Sequence, residues 1–220
     1  MSVAPMPRKR LRSYTGAAEI TLERLDRYEA LLAKWQKAIN LVGPKTLAEV
    51  WDRHFLDSAQ FWKHVPASAR SLADIGSGGG FPGLVLAVLA ADPGIGRPGF
   101  QVHLIESDQR KASFLREAAR VMALDGVTIH AARIESLAML EVDLVTARAC
   151  APLAQLLIWS DPLLARGAVG LFAKGAQAEE EMAGLQGYHI ERIASATDPA
   201  GCLLRVERLT REGEHHDAAA

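Results

Sequence analysis

The sequence predicts an α/β fold: a mostly parallel seven-stranded sheet, finished at one edge by an antiparallel C-terminal hairpin and preceded by an N-terminal helical cap. Three observations lead there. From residue 72 to residue 181, short apolar runs alternate with helical stretches, and right-handed crossovers between such units make their strands parallel. The alternation then stops: 188–193 and 202–208 are both strand-like with no helix between them, so they pair antiparallel. Ahead of the first strand only helical patterns occur. With 220 residues and 49% hydrophobic content, the chain is expected to hold one domain and a small extension. The expected divisions are a basic flexible arm (1–16), the helical cap (17–66), the sheet domain with its ligand site (67–210) and a disordered tail (211–220).

In chain order, the arm carries Arg8, Lys9, Arg10 and Arg12, which either touch phosphates or are merely solvated. Leu22, Leu25, Tyr28, Leu32, Trp35 and Ile39 then recur at helical spacing and predict an amphipathic helix from Ala17 to near Asn40. After Gly43 and Pro44, Thr46 and Glu49 have the spacing of a capping box, and Val50, His54, Asp57 and Phe61 share one face of the helix that follows. Arg53, His54, Asp57 and Ser58 concentrate polar groups near one end of it. They form either the rim of a site or an ordinary exposed face.

The chain is organised around residues 72–83, Leu-Ala-Asp-Ile-Gly-Ser-Gly-Gly-Gly-Phe-Pro-Gly, which read as strand, tight turn and helix start. Gly76, Gly78 and Gly80 allow positive φ, and Gly76 and Gly78 let backbone N–H groups approach a bound molecule. A dinucleotide fingerprint fails because Phe81 stands at its third glycine, and a phosphate loop fails because no Gly-Lys-Ser/Thr follows. The remaining pattern, Asp-x-Gly-x-Gly-x-Gly, resembles motif I of the Rossmann-like class I S-adenosylmethionine (AdoMet) methyltransferases.

The later strands supply the rest of that pocket. A second strand at 101–105 ends at Glu106, where a carboxylate can accept hydrogen bonds from both ribose hydroxyls. A helix at 110–122 turns Ala112, Leu115, Ala119 and Met122 inward, and a third strand at 127–130 leads to Ile134 and Glu135, an apolar and a hydrogen-bonding neighbour for adenine. The fourth strand, 142–147, runs into Arg148-Ala149-Cys150-Ala151-Pro152, the turn that faces the transferred methyl group; Arg148 is the candidate catalytic residue there. A helix at 153–164, a strand at 168–173, Lys174-Gly175 and an acidic helix start at 179–181 complete the repeating units. The turn lacks the Asp/Asn-Pro-Pro-Tyr/Phe of exocyclic-amine methylation, and Cys150 lacks the Pro-Cys setting of a C5 nucleophile.

A formal net charge of −1 means that any nucleic-acid partner is met by a local patch, for which Arg8 to Arg12, Arg53 and Lys174 are the candidates. Cys150 and Cys202 make no metal pattern, His215-His216 reads as tail, and no metal is expected. With no signal peptide and no apolar stretch of spanning length, a cytoplasmic protein without membrane contact is expected, acting as a monomer. On these residues alone an NAD-dependent oxidoreductase, a non-catalytic RNA-binding protein and a small-molecule methyltransferase stay open beside an RNA methyltransferase.

An ordered set of residues narrows this. Asn40-Leu41, Arg53-His54 with Asp57-Ser58, the motif from Asp74 to Gly83, Ser107 with Lys111 and Phe114-Leu115, Arg133 with Glu135, Arg148-Ala149 and Lys174-Gly175 together resemble the bacterial 16S ribosomal RNA guanine-N7 methyltransferase G family, also called glucose-inhibited division protein B. The resemblance implies an AdoMet site at Gly76, Phe81, Ile134, Glu135 and Arg148. It also implies a guanine of small-subunit rRNA near the decoding region as substrate. For contacts to that substrate, Arg53, His54 and Lys174 are the candidates. Two departures stand out: Glu106 replaces the frequent Asp, and the loop at 92–99 is longer than usual for the family.

Overall fold

The computed structural model describes residues 6–137 and 140–209; the tail expected at 211–220, with His215 and His216, lies outside them. The described strands are β1 (Ser71–Ile75), β2 (Gln101–Ile105), β3 (Val127–His130), β4 (Leu144–Arg148), β5 (Val169–Lys174), β6 (Tyr188–Ala194) and β7 (Cys202–Arg208). They form one sheet in the order β3-β2-β1-β4-β5-β7-β6. The first five are parallel neighbours, and β7 runs antiparallel to both β5 and β6. The order reverses between β1 and β4, the switch point where ligands gather on open α/β sheets.

Two apolar layers sandwich the sheet. On one face the cap joins α4 (Gly83–Ala90) and α5 (Gln109–Val121); on the other, α6 (Leu153–Leu164) and α7 (Ala178–Met182) cover β4, β5 and β7. Sequence explains each helix. Every residue of α4 is buried, as its uniformly apolar composition requires. The amphipathic α5 starts at Asp108, whose Oδ1 accepts from the N–H groups of Arg110 (2.8 Å) and Lys111 (3.1 Å).

The cap departs from the sequence reading in three places. The flexible arm expected at 1–16 is, over Met6–Thr15, a helix, α1. Its Leu11 is fully buried and Arg8 pairs with Glu19 at 2.6 Å and Asp26 at 3.3 Å, so long-range partners hold what local composition leaves loose. The next helix, α2 (Glu19–Trp35), stops before Asn40 because the Gln36 side chain folds back: its Oε1 accepts from Leu41 N and Val42 N, and its Nε2 donates to Val42 O. Asp92 caps the start of α2 from the long loop, accepting from Ala18 N (2.8 Å) and Thr21 Oγ1 (2.6 Å).

Third, the capping box at Thr46 is not formed. Thr46 Oγ1 instead donates to Gly43 O (2.9 Å) and meets His54 Nε2 at 2.8 Å. The expected second helix is a chain of short turns: 3-10 at Pro44–Glu49, π at Trp51–Leu56, α3 at Asp57–Ala59 and 3-10 at Gln60–His64. A π turn inserts a residue into the helical register, and such turns collect at functional sites.

Candidate functional site

Where β1 ends, Gly76 (φ +67°) and Gly78 (φ +54°) take the left-handed conformation that only glycine adopts without strain. The turn is pinned to the neighbouring strand, since Gly76 N and Ser77 N both donate to Ile105 O, at 3.0 and 3.1 Å. Glu106 then bridges back: one carboxylate oxygen accepts from Gly78 N (2.9 Å) and the other from Asp108 N (2.8 Å). Each oxygen has a second lone pair that can still accept a hydrogen bond. That cavity, about 300 Å³, is lined by Gly76, Glu106, Ser107, Ile134, Glu135 and Trp159, among others.

Asp74 lies fully buried beneath this turn, its Oδ1 accepting from Thr146 Oγ1 (2.8 Å) and its Oδ2 from Gly83 N (3.3 Å). Burial pushes its pKa up to about 6, against the pull of those hydrogen bonds. The cap clamps the same turn from behind. The Tyr28 hydroxyl donates to Gly79 O, and a Cβ on Gly80 would lie 2.5 Å from that hydroxyl.

A second cavity of about 780 Å³ opens beyond the ends of β4 and β5. Arg148 stands at its inner wall: Nη1 donates to Asp57 Oδ2 (2.8 Å) and Arg53 O (3.1 Å), and Nη2 to His54 Nδ1 (2.8 Å). A guanidinium has no acceptor, so Nδ1 of His54 must be the unprotonated nitrogen, and Nε2–H then donates to Thr46 Oγ1. Burial, followed by the Arg148 charge, lowers the His54 pKa to about 4, which keeps the ring neutral. Asp57 Oδ1 in turn accepts from Thr197 Oγ1 (2.6 Å) and Gln60 Nε2 (2.8 Å), tying the cap to the loop between β6 and β7.

Cys150 lines both cavities and is the partition between them. A Cβ on Gly76 would stand 2.8 Å from its Cβ. Burial pushes its thiol up to about 11, so it is protonated at neutral pH and unsuited to act as a nucleophile. The preceding Ala149 has φ +52°, a strained value for a residue with a side chain.

The structure thus brings Gly76, Glu106, Ile134 and Glu135 together around the smaller cavity, with Gly78 at its edge through Glu106. Arg148 faces the larger cavity instead. Phe81 lines neither: it is 5% exposed, its ring 4.9 Å from His54 and 5.4 Å from Tyr28, with the Arg148 guanidinium 5.0 Å away. Of the substrate candidates, Arg53 is exposed at the rim of the larger cavity, but His54 and Lys174 are not free cations. His54 is a buried neutral ring with both nitrogens engaged. Lys174, 7% exposed, donates to Glu181 and to Ala151 O, both at 2.7 Å. Sequence reasoning missed Trp159, Asp57 as an Arg148 partner, Thr197 and Glu181. Trp159 left one signal, a large aromatic in the helix that follows the Arg148 turn.

Among the described residues no group of three or more His, Cys, Asp or Glu could hold a metal ion, and no helix is long and apolar enough to cross a membrane. Residues 21–194 match the family model described as rRNA small subunit methyltransferase G. A ribosomal RNA small subunit methyltransferase G of Paramagnetospirillum magneticum is 49% identical over 200 residues, covering 90% of this chain and 93% of the relative. Among solved structures, a methyltransferase from Geobacter sulfurreducens superposes with TM-score 0.57 at 14% identity, over 95% of this chain and 100% of its own. A variant of MtNAS in complex with S-adenosylmethionine gives TM-score 0.56 at 12% identity, over 85% of this chain and 72% of that one. These two likenesses are to the fold.

Proposed function

The chain belongs to the rRNA small subunit methyltransferase G family, and from that membership and the two adjoining cavities we infer that it transfers a methyl group from AdoMet to N7 of a guanine in 16S rRNA of the small ribosomal subunit. The observation that carries the reading is the meeting of a glycine-and-carboxylate cavity with a larger one across Cys150, at the sheet's switch point. The smaller cavity fits AdoMet by its shape and acceptors: the close backbone at Gly76, with Gly78 at the edge, would admit the methionine part, Glu106 would accept from the ribose hydroxyls, and Ile134, Glu135 and Trp159 would border the adenine. When bound, AdoMet supplies a methyl group on a sulfonium, a strong leaving group.

The larger cavity takes the target base. A guanine N7 lone pair needs no proton removed before attack, so the protein's task is alignment rather than base catalysis. Arg148, fixed by Asp57 and His54, holds the inner wall, and the turn at 149–152 sets the distance between the cavities. N7 of a paired guanine lies in a groove that side chains cannot read, so the base enters from a loop or after flipping from its stack. Arg53, exposed at the rim, is placed for phosphates, whereas Arg10, also exposed there, is held by Asp52 at 2.9 Å. With rRNA as substrate, the enzyme acts in the cytoplasm.

Incubation with methyl-labelled AdoMet and either naked 16S rRNA or assembled small subunits tests the reading. Label is expected in the rRNA, with chain breaks at the modified guanine after borohydride and aniline treatment. Incorporation without such breaks would place the methyl group on another atom.

A further inference from the structure

Lys174 and Glu181 form a closed arrangement around the 149–152 turn. Lys174 Nζ, at the end of β5, donates to Ala151 O at 2.7 Å and to Glu181 Oε2 at 2.7 Å. The same Glu181 oxygen, from α7, accepts from Leu153 N, the first residue of α6. One ion pair therefore grips the backbone of the turn on both sides of Pro152. On its other side the turn begins at Arg148, which the cap holds through Asp57 and His54. Between the two grips lie Ala149, with its positive φ, and Cys150, the wall shared by the two cavities.

We propose that Glu181 and Lys174 are positioning residues: as a pair they fix the turn whose Cys150 separates the cofactor cavity from the base cavity, and Lys174 is not a phosphate ligand. The proposal rests on the function inferred above. Three features support it. Both residues border the larger cavity, yet the Lys174 side chain is only 7% exposed, against 26% for Glu181, and its ammonium is turned to Glu181 and the turn. All three bonds end on each other or on the backbone flanking Pro152. Burial works to raise the Glu181 pKa, but the Lys174 hydrogen bond, the Leu153 N–H and the Lys174 charge outweigh it and hold the carboxyl below its ordinary value, so it is a carboxylate at neutral pH. A backbone turn with one strained residue keeps its shape only while its surroundings over-determine it.

The two roles for Lys174 predict opposite behaviour at Glu181. If Lys174 gripped phosphates, removing the neighbouring carboxylate would strengthen RNA binding, and Lys174→Met would lower the slope of log affinity against log salt by about one. If the pair positions the turn, Glu181→Ala and Lys174→Met share one phenotype.

The test uses Lys174→Met, Glu181→Ala and Glu181→Gln in the full chain, each checked for folding by thermal melt. Two readouts follow: kcat, KM and the salt slope with rRNA, and the rate of Cys150 alkylation by N-ethylmaleimide, located by mass spectrometry without RNA. The expected result is a kcat loss of at least about tenfold in Lys174→Met and Glu181→Ala, with KM for RNA and the salt slope unchanged. Cys150 should react at least about fivefold faster in both, because a loosened turn exposes its thiol. Glu181→Gln, whose amide oxygen can still accept from Leu153 N, should be rescued in part. A salt slope reduced by about one in Lys174→Met, an unchanged kcat, or unchanged Cys150 reactivity would each overturn the proposal. The alkylation arm needs no methyl acceptor, so it stands apart from failure of the rRNA assignment.

Discussion

The two cavities meet at one cysteine yet are built by different means. The smaller is made from a short contiguous turn and the ends of β2 and β3: the backbone at Gly76 and Gly78, the carboxylates of Glu106 and Glu135, and a few neighbours. The larger is made from side chains brought in by the cap, β4, β5, α7 and the loop before β7, each holding another. A site built on backbone needs particular residues where no side chain is tolerated. A site built on interlocked side chains needs pairs, and its members are spread over some 140 residues, as Asp57 with Thr197 illustrates.

The largest effect should come from the glycines that touch the cap. A Cβ on Gly80 would lie 2.5 Å from both the Tyr28 hydroxyl and Leu84 Cδ1, in a residue whose φ is +88°. Overpacking and left-handed strain together put the cost of Gly80→Ala at roughly 3 kcal/mol. A Cβ on Gly78 meets nothing nearer than Gly76 O at 3.7 Å, so Gly78→Ala carries only the strain, about 1 kcal/mol. Its effect should fall on the cofactor, with AdoMet affinity down at least about tenfold, or about 1.4 kcal/mol. Melts beside calorimetric titrations would separate the two; a Gly78→Ala protein that binds AdoMet normally would remove that backbone from the site. Gly76→Val is a poorer probe, because its Cβ would strike Cys150 and disturb both cavities.

Next in size is the interlocked side. Arg148→Ala leaves His54 Nδ1 and Asp57 Oδ2 without their donor, and should cost at least about tenfold in kcat, roughly 1.4 kcal/mol of barrier, in a folded protein. His54→Asn, whose side-chain oxygen can replace Nδ1 as acceptor, should lose less than His54→Phe, which keeps the stack on Phe81 but offers no acceptor. Equal losses in the two variants would mean that ring packing, not the bond to Arg148, is what matters. Arg53→Gln is the contrast. It should weaken RNA binding and reduce the salt slope by about one, with kcat at saturation held within about twofold.

This difference also explains what the sequence made legible. Strand and helix alternation predicted the sheet because each unit is local, and the glycine motif with Glu106 located the smaller cavity because its parts sit at fixed offsets from strand ends. The capping-box reading at Thr46 failed since the hydroxyl has a better partner in His54, eight residues on. The arm was misread because the partners of Arg8, Glu19 and Asp26, lie on another helix. Lys174 has the sequence of a surface cation, and only the fold of α7 against the 149–152 turn supplies Glu181. Phe81 is a cofactor candidate by resemblance alone, and only the fold shows that its ring packs between cap and motif, under Arg148.

The smallest effect in the parent protein is a net pH dependence, because the two regions oppose each other. Asp74, under the glycine turn, has its folded pKa raised to about 6 from 3.8. Between those values the folded state binds the extra proton, so this group's contribution to stability falls as pH rises through the window. His54, beside Arg148, has its folded pKa lowered to about 4 from 6.5. There the unfolded state binds the extra proton, so its contribution rises with pH over nearly the same window. The two slopes largely cancel in the parent protein. Each should be uncovered by removing the other, as the difference between variant and parent melts at pH 4 to 6.5, which subtracts the remaining carboxylates and histidines. Asp74→Asn is suited to this: its oxygen can accept from Gly83 N while its amide donates to Thr146 Oγ1, so the buried bonds are kept. Relative to the parent, Asp74→Asn should gain stability with rising pH and His54→Asn should lose it, each by on the order of 1–3 kcal/mol across the window. Difference curves of the same sign would show that at least one of these groups is not held in the state its surroundings dictate, and would break the contrast between the two sides of the site at its electrostatic root.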